Sequence, residues 1–466
     1  MDDYDRLYEL YDRFHTEQFR AYRAFVDLFP PVESPVALER WDEANEALAE
    51  RRAEIEAGVE DGRRLADVAA RADRAAAFTA LDLRAKYGRA VNALVLDVDE
   101  TLRSAGDTDN EIPRETLHLL REFVERGVQL VICTGQTLEN VKGFLVQGLG
   151  NELVHSGDVS VVYEAGAGVF TPGHGSETKR LLYDDLPDDT RGVVDDVRSR
   201  VLRDAPEQVR RGCHLQGNEF NVTLKPNHET GSDAAAAAID EALVHLLDLV
   251  GEAVADRVEL PDEVTLRREP DAESDEPADG AGESATSDAT SASDGAGEPA
   301  ASDTTSASDT TRASDATVAS GPAVARACFA ESDPEIAAAL ERETAPRAES
   351  VPPAVADLLG ALDVALYHAD AAELAVRALD KAAGVEAALS VLGIDDPFVI
   401  VMGDSKSDLR AMEWASDNDA GIAAAPTHAS QGVLAHVRAT DDLLFPPGEA
   451  AEMLQTVWAL DCLVDR

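Results

Sequence analysis

The stretch VNALVLDVDET, residues 91–101, joins a continuous apolar run to a cluster of acids. A short run of aliphatic and β-branched residues is typical of a strand buried on both faces of a parallel sheet. VQLVICTG (128–135) and PFVIVMGD (397–404) repeat the pattern. A helix is expected between the first two runs, from about Arg114 to Arg126, ending at Gly127. This alternation predicts an α/β fold with a doubly wound parallel sheet.

Polar side chains follow these predicted strands or precede the last of them. Because ligands of open α/β sheets bind at the carboxyl ends of the strands, we expect these side chains to share one edge of the sheet. They are Asp97, Asp99, Thr134, Lys381, Asp404 and Asp408.

This set of residue types suits the transfer of a phosphoryl group to water. The carboxylate of Asp97 can attack phosphorus and form an aspartyl-phosphate. Asp99, two residues on, can protonate the leaving alcohol and then deprotonate the attacking water. The hydroxyl of Thr134 and nearby backbone N–H groups can hold phosphate oxygens, while Lys381 neutralises charge on the transferring group.

The same edge predicts a metal site. Carboxylate oxygens are the ligands that a hard divalent cation such as Mg²⁺ prefers, and the cation would reduce the repulsion between Asp97 and a phosphate. Asp404 supplies another candidate ligand beside Asp97, and Asp408 can orient the groups around the ion.

The ordered motifs resemble those of the haloacid dehalogenase superfamily, and specifically its Mg²⁺-dependent phosphatases. DVDET (97–101) matches the first motif, Thr134 the second, Lys381 the third and GDSKSD (403–408) the fourth. The long insertion between the second and third motifs resembles the C2-type cap of the Cof-like and sucrose-phosphatase-like branches. The resemblance implies that the metal ligands are Asp97, the backbone carbonyl of Asp99, and Asp404.

Three positions depart from the pattern of the Cof-like branch. Glu100 stands where a glycine is usual, and Ser407 stands where an asparagine often precedes the last aspartate. Gln136 follows Gly135 where an arginine is common, which removes a cation that could face the substrate. None of these changes removes a core catalytic group.

The chain divides by composition and periodicity into a helical extension, a core and an insertion. Residues 1–88 carry an aromatic stripe at helical spacing, which favours packing on the rest of the protein over self-association or partner binding. Residues 267–317 contain no Val, Ile, Leu, Met or aromatic residue, so we expect them to be disordered. The predicted units are the extension 1–88, the core 89–150 and 371–466, and the α+β cap 151–370 that contains the disordered segment.

The charge of the chain excludes several classes of protein. Its 91 acidic and 41 basic residues give a net charge of −50, which argues against binding to nucleic acid or to an anionic membrane. The sequence contains no run of 18 apolar residues, so it predicts no membrane span. Lysines are scarce beside arginines, and this acidic composition resembles that of proteins from extreme halophiles. The four widely spaced cysteines favour a reducing cytoplasm.

The sequence therefore predicts a Mg²⁺-dependent phosphatase acting on a small phosphorylated metabolite, such as a sugar phosphate. One alternative is a phosphomutase, which would shield the aspartyl-phosphate from water. Another is a scaffold or regulatory protein that acts through its N-terminal helices.

Overall fold

The computed structural model describes residues 3–28, 34–103, 112–216, 220–258, 266–267, 320–340, 347–348 and 351–464. The segment 267–317, predicted to be disordered, lies outside the described residues apart from Arg267. Next to this segment, Leu266–Arg267 is described as a short strand.

An eight-stranded sheet forms the centre of the fold, and the predicted parallel arrangement is confirmed. Six neighbouring strands run parallel, and the last two continue the sheet in antiparallel fashion. Across the sheet, the strands are Leu443–Phe445, Gly421–Pro426, Val399–Met402, Ala93–Asp97, Gln129–Cys133, Val159–Tyr163, Gly168–Phe170 and Arg180–Leu181.

Helices cover both faces of this sheet, which explains why its central strands are apolar throughout. Leu94 and Leu96 contribute to one buried cluster, whereas Ala93 and Val95 contribute to another on the opposite face. The helices around the sheet are Arg114–Glu125, Leu138–Gly148, Asn151–Val154, Lys381–Leu392, Lys406–Asp417, Gln431–Ala439 and Ala450–Leu463.

A smaller antiparallel sheet with its own apolar cluster lies in the inserted part of the chain. Its strands, in order, are Leu362–Tyr367, Ala371–Val376, Val222–Pro226 and Cys213–Leu215. The helices of this part are Asp188–Arg200, Glu207–Gly212, Ser232–Ala255, Gly321–Ser332, Pro334–Leu340 and Pro353–Gly360. A two-stranded sheet pairs Leu266–Arg267 with Arg347–Ala348. Short 3₁₀ turns occur at Glu164–Gly166, Pro172–His174, Ser176–Thr178 and Leu182–Asp185.

Some strands belong to a different sheet from the one that the predicted boundaries of the insertion imply. The strands of residues 159–181, predicted to belong to the cap, extend the large sheet because Leu130 pairs with Val159. Conversely, Ala371–Val376 pairs with the smaller sheet rather than with the core. The smaller sheet and its helices therefore lie within residues 182–376. Apolar runs predict strands but do not state which sheet each strand joins.

The N-terminal extension packs on the core through its aromatic and aliphatic stripe. Its side chains Leu7, Leu10 and Phe19 are almost fully buried in the cluster that also contains the helix Ala450–Leu463. Helical structure is interrupted between Pro35–Gly58 and Gly62–Ala69, where Asp61 adopts a left-handed conformation. Within the described residues of the extension, the helices are Asp3–Arg13, Thr16–Leu28, Pro35–Gly58, Gly62–Ala69 and Arg74–Tyr87. Among the described residues, no helix is both long and apolar enough to cross a membrane.

Candidate active site

Three of the predicted residues meet directly at the carboxyl edge of the large sheet. The ammonium of Lys381 lies 2.6 Å from Oδ1 of Asp97 and 2.5 Å from Oδ1 of Asp408. All three side chains are buried, and Asp97 ends the central strand Ala93–Asp97. The sequence separates Lys381 from Asp97 by 284 residues, so this contact exists only through the fold.

Helix N-termini hold the two other members of this contact. Lys381 opens the helix Lys381–Leu392, whose N-cap Asp380 accepts a hydrogen bond from the backbone of Ala383. Asp408 lies in the first turn of the helix Lys406–Asp417, where its Oδ2 accepts from both the backbone N–H and the hydroxyl of Ser405. Helix capping therefore fixes the carboxylate of Asp408 directly, whereas for Lys381 it fixes the start of the helix that carries the side chain.

A glycine is required beside this capping arrangement. A Cβ atom at Gly403 would lie 2.2 Å from Cγ of Asp408, which is far inside van der Waals contact. The glycine of the GDSKSD motif therefore permits the close approach of the loop to the buried carboxylate.

Asp404 completes a group of three carboxylates with an excess of negative charge. Oxygen atoms of Asp97, Asp404 and Asp408 lie within 4.8 Å of one another. The ammonium of Lys381 contacts the carboxylates of Asp97 and Asp408. Burial raises the pKa of Asp404 to about 6, and the neighbouring carboxylate of Asp408 adds to the rise. Burial likewise raises the pKa of Asp97 well above its usual range, although Lys381 opposes the rise. Crowded hard oxygen ligands with uncompensated charge fit a divalent cation.

The remaining predicted residues lie at the same edge but outside this contact. Thr134 is buried at the end of the neighbouring strand, where its Oγ1 accepts a hydrogen bond from the backbone N–H of Gln136 at 3.1 Å. Its own O–H is still able to donate. The carboxylate of Asp99 is 43% exposed and pairs with Arg103 and Gln136 rather than with Lys381.

Three residues in these contacts were not singled out by the sequence analysis for a site role. Ser405 caps the helix of Asp408, Arg103 pairs with Asp99, and the hydroxyl of Thr101 donates to Oδ1 of Asp404 at 3.4 Å. The serine three residues before an acid is a capping-box signal that could have identified Ser405. Thr101 is the last residue of DVDET, whereas no local signal pointed to Arg103.

Comparison with known families agrees with this geometry. The sequence profile described as haloacid dehalogenase-like hydrolase matches residues 94–169, which include Asp97, Asp99 and Thr134. The first two motifs therefore lie in a segment that is similar to haloacid dehalogenase-like hydrolases. The resemblance stated from the motifs is thereby confirmed, and the enzyme class is that of a hydrolase.

Solved structures that resemble this hydrolase cover most of it at low identity. The C-terminal domain of trehalose-6-phosphate phosphatase from C. albicans is 10% identical, covering 82% of this chain and 96% of that chain, with a TM-score of 0.42. A haloacid dehalogenase-like hydrolase from B. subtilis is 14% identical, covering 78% and 99%, with a TM-score of 0.38. Among curated proteins, no sequence matches. Likenesses this distant carry no argument about the reaction.

A cleft between the smaller sheet and the hydrolase core lies beside the fourth motif. Its volume is about 880 Å³, and it is lined by both parts of the chain. The side chain of Lys406 extends from the core to the insertion, because its ammonium lies 2.5 Å from a carboxylate oxygen of Glu335 and over the ring of Tyr367. The side chain of Lys406 is 35% exposed and contacts the insertion. The lining residues are Asp240, Glu335, Ala338, Ala339, Leu366, Tyr367, His368, Asp370, Lys406, His428 and Ser430.

A second group of potential metal ligands lies away from this edge, between the extension and the core. Asp27, His118 and Glu122 each offer a ligand atom. However, Arg71 and Arg23 pair with both carboxylates, so these charges are already compensated. Adjacent guanidinium groups would also repel a cation. We therefore interpret this group as an ion-pair cluster that joins two helices.

Proposed function

We propose that this hydrolase is a Mg²⁺-dependent phosphatase that removes the phosphoryl group from a small phosphorylated metabolite. The observation that carries the proposal is the contact of Lys381 with both Asp97 and Asp408 at the edge where Asp404 lies. A nucleophile, a neutralising cation and a set of hard oxygen ligands are the components that phosphoryl transfer requires.

In the first half of the reaction, a carboxylate oxygen of Asp97 attacks phosphorus and the bond to the leaving oxygen breaks. Asp99 gives its proton to that oxygen, so that an alcohol departs and an aspartyl-phosphate remains. The ammonium of Lys381 neutralises charge on the transferring group, and the hydroxyl of Thr134 donates to a phosphate oxygen.

In the second half, Asp99 accepts a proton from a water molecule as that water attacks phosphorus. The bond between phosphorus and Asp97 breaks, releasing inorganic phosphate and restoring the free carboxylate. Carboxylates of Asp97 and Asp404, with the backbone carbonyl of Asp99, would hold Mg²⁺, and Asp408 would orient its neighbours. When bound, the cation supplies positive charge that offsets repulsion between the acidic site and the anionic substrate.

The cleft favours a hydroxyl-rich substrate such as a sugar phosphate. Asp240, Glu335 and Asp370 supply carboxylates that can accept hydrogen bonds from hydroxyl groups, while Tyr367 and His368 supply ring faces. A panel of phosphorylated metabolites, assayed for phosphate release at high salt, would identify the substrate.

The exposure of Asp99 favours hydrolysis over the mutase alternative. A mutase must keep water from its aspartyl-phosphate, yet this carboxylate is 43% exposed. Product analysis on a hexose phosphate tests the choice, because free phosphate indicates a hydrolase and an isomeric phosphate indicates a mutase. The burial of Leu7, Leu10 and Phe19 against the core similarly favours a structural role for the extension over a scaffold function.

Replacing the nucleophile tests the proposed reaction. Asp97→Asn should reduce phosphate release by at least about 10³-fold, since an amide is a far poorer nucleophile than a carboxylate. The matched control is Asp417→Asn, which changes an exposed aspartate on the helix Lys406–Asp417 and should retain full activity. Undiminished activity of folded Asp97→Asn would refute the mechanism.

A further inference from the structure

Both carboxylate oxygens of Asp99 already accept hydrogen bonds from side chains. Oδ1 accepts from Arg103, whose Nη2 lies at 2.6 Å and Nε at 3.0 Å. Oδ2 accepts from Nε2 of Gln136 at 2.8 Å. Although it is 43% exposed, this carboxylate is therefore held in one direction by two donors, which we name the Asp99 clamp.

The donors of the Asp99 clamp are themselves fixed. The backbone N–H of Gln136 donates to Oγ1 of Thr134 at 3.1 Å, and its carbonyl accepts from the backbone of Glu164 at 2.9 Å. The side chain of Arg103 is only 9% exposed, and its backbone forms a β-bridge with Asp99. Because both donors start from anchored backbone, the clamp can determine where the carboxylate points.

We propose that Arg103 and Gln136 are positioning residues that hold Asp99 for proton transfer. The inference rests on the proposed function, in which Asp99 protonates the leaving oxygen. A general acid must lie within hydrogen-bond reach of the atom it protonates, and an exposed carboxyl group without these partners would occupy several rotamers. The clamp reduces that freedom before substrate binds.

The two halves of the clamp differ in a way that assigns the proton to one oxygen. The bond from Arg103 is charge-assisted, whereas the bond from the neutral amide of Gln136 is weaker. Oδ2 is thus the oxygen that is more readily released toward substrate. Asp99 takes up a proton from water in the second half of the reaction, and in the next cycle Oδ2 passes that proton to the leaving oxygen as the bond between this oxygen and phosphorus breaks and Asp97 bonds to phosphorus. Asp99 remains as a carboxylate, which both donors stabilise.

The dependence of the rate on the leaving group tests this inference. The parameter kcat/KM reports the steps up to departure of the leaving group, so it is insensitive to later breakdown of the aspartyl-phosphate. Phenyl phosphate has a basic leaving group that requires a proton, whereas dinitrophenyl phosphate departs without one. Since general acid catalysis contributes about 10²–10⁴-fold, we expect Gln136→Met to lower kcat/KM about 10-fold or more on phenyl phosphate. On dinitrophenyl phosphate the loss should stay below about 3-fold.

Reference variants define the pattern expected of a positioning residue. Asp99→Asn should show the same selectivity in a larger form, because it removes the acid itself. Gln18→Met exchanges an exposed glutamine of the extension and should change neither rate. Arg103→Met should repeat the selectivity of Gln136→Met, and Arg103→Lys should restore part of the loss because lysine still donates. This second pair keeps the test valid if Gln136→Met fails to fold, which its melting temperature would reveal.

The outcomes separate this inference from the proposed function. Larger losses on phenyl phosphate than on dinitrophenyl phosphate, in folded variants, support the Asp99 clamp. Equal losses on both esters would overturn it and assign Arg103 and Gln136 a purely structural role, while the phosphatase proposal stands. A wild-type protein inactive on both esters, in the presence of Mg²⁺, would overturn the proposed function and this inference with it.

Discussion

The buried ammonium of Lys381 gives the sharpest prediction about a single residue. Lys381→Met should leave Asp97 and Asp408 buried without their counter-charge, and removing one partner of a buried ion pair costs about 3–5 kcal/mol. We expect that loss in the free energy of unfolding, measured with urea at neutral pH without divalent cations, together with loss of phosphatase activity. Lys406→Met, which removes a part-exposed pair with Glu335, should cost less than about 1 kcal/mol. Equal costs would contradict the prediction.

Single residues also show where sequence reasoning succeeds and where it stops. Asp97, Asp404 and Asp408 could be assigned to one site, because parallel strands deliver the residues after them to the same edge. The direction of the Asp99 side chain could not be predicted. Its hydrogen bond to Gln136 joins residues 37 positions apart and depends on the path of a loop. The pattern of apolar residues in a sequence does not predict that path. The departure from arginine at Gln136 suggested only a missing cation, whereas the structure gives that side chain a specific hydrogen-bond partner.

At the scale of elements, the helices Thr16–Leu28 and Arg114–Glu125 are joined by a cluster whose strength should depend on pH. The carboxylates of Asp27 and Glu122, whose oxygens lie 3.4 Å from Nε2 of His118, raise the pKa of His118 to about 9. Because the folded pKa exceeds the unfolded value of about 6.5, protonated His118 stabilises the fold fully below pH ~6.5. That contribution is lost as pH rises through about 9. The ring of His118 is 28% exposed, so solvent screening reduces this contribution to the free energy of unfolding to about 1–2 kcal/mol.

The variant His118→Gln tests this linkage through a difference between two proteins. Wild type should be more stable than the variant at pH 6, and the gap should shrink steadily toward pH 10. Urea unfolding curves across this range measure it, with His155→Gln as a control for an exposed histidine. A gap that stays constant with pH would show that His118 contributes only packing.

The elements themselves were predicted more reliably than their partners. Apolar runs located the strands Ala93–Asp97, Gln129–Cys133 and Val399–Met402, because strands buried on both faces are apolar at every position. The same local signal could not separate Val159–Tyr163, which joins the large sheet, from Ala371–Val376, which joins the small one. Sheet membership depends on long-range pairing between strands. The strands of the smaller sheet therefore do not follow the predicted boundaries of the insertion.

Over the whole molecule, the net charge of −50 predicts a dependence of stability on salt. Raising KCl from about 0.1 M to about 1 M shortens the Debye length from about 10 Å to about 3 Å, which screens repulsion among surface carboxylates. We expect the melting temperature to rise by several degrees. An increase of ~1 kcal/mol in the free energy of unfolding raises the melting temperature by about 2–4 °C for domains of about 150–250 residues. Sucrose, which stabilises without screening charge, is the control for general solvent effects. A melting temperature unaffected by KCl would contradict the interpretation of the composition as adaptation to salt.

The N-terminal extension gives the last prediction, because it covers apolar surface of the hydrolase core. Val457 and Leu460 on the helix Ala450–Leu463 are fully buried, and Trp458 donates a hydrogen bond to the backbone of Asp67 in the extension. Deleting residues 1–88 should expose part of this helix and produce aggregates, measured by size-exclusion chromatography with light scattering. Supplying residues 1–88 as a separate chain should restore solubility if the lost cover is the cause. A truncated protein that stays monomeric, soluble and fully active would instead indicate that the extension serves partners or self-association.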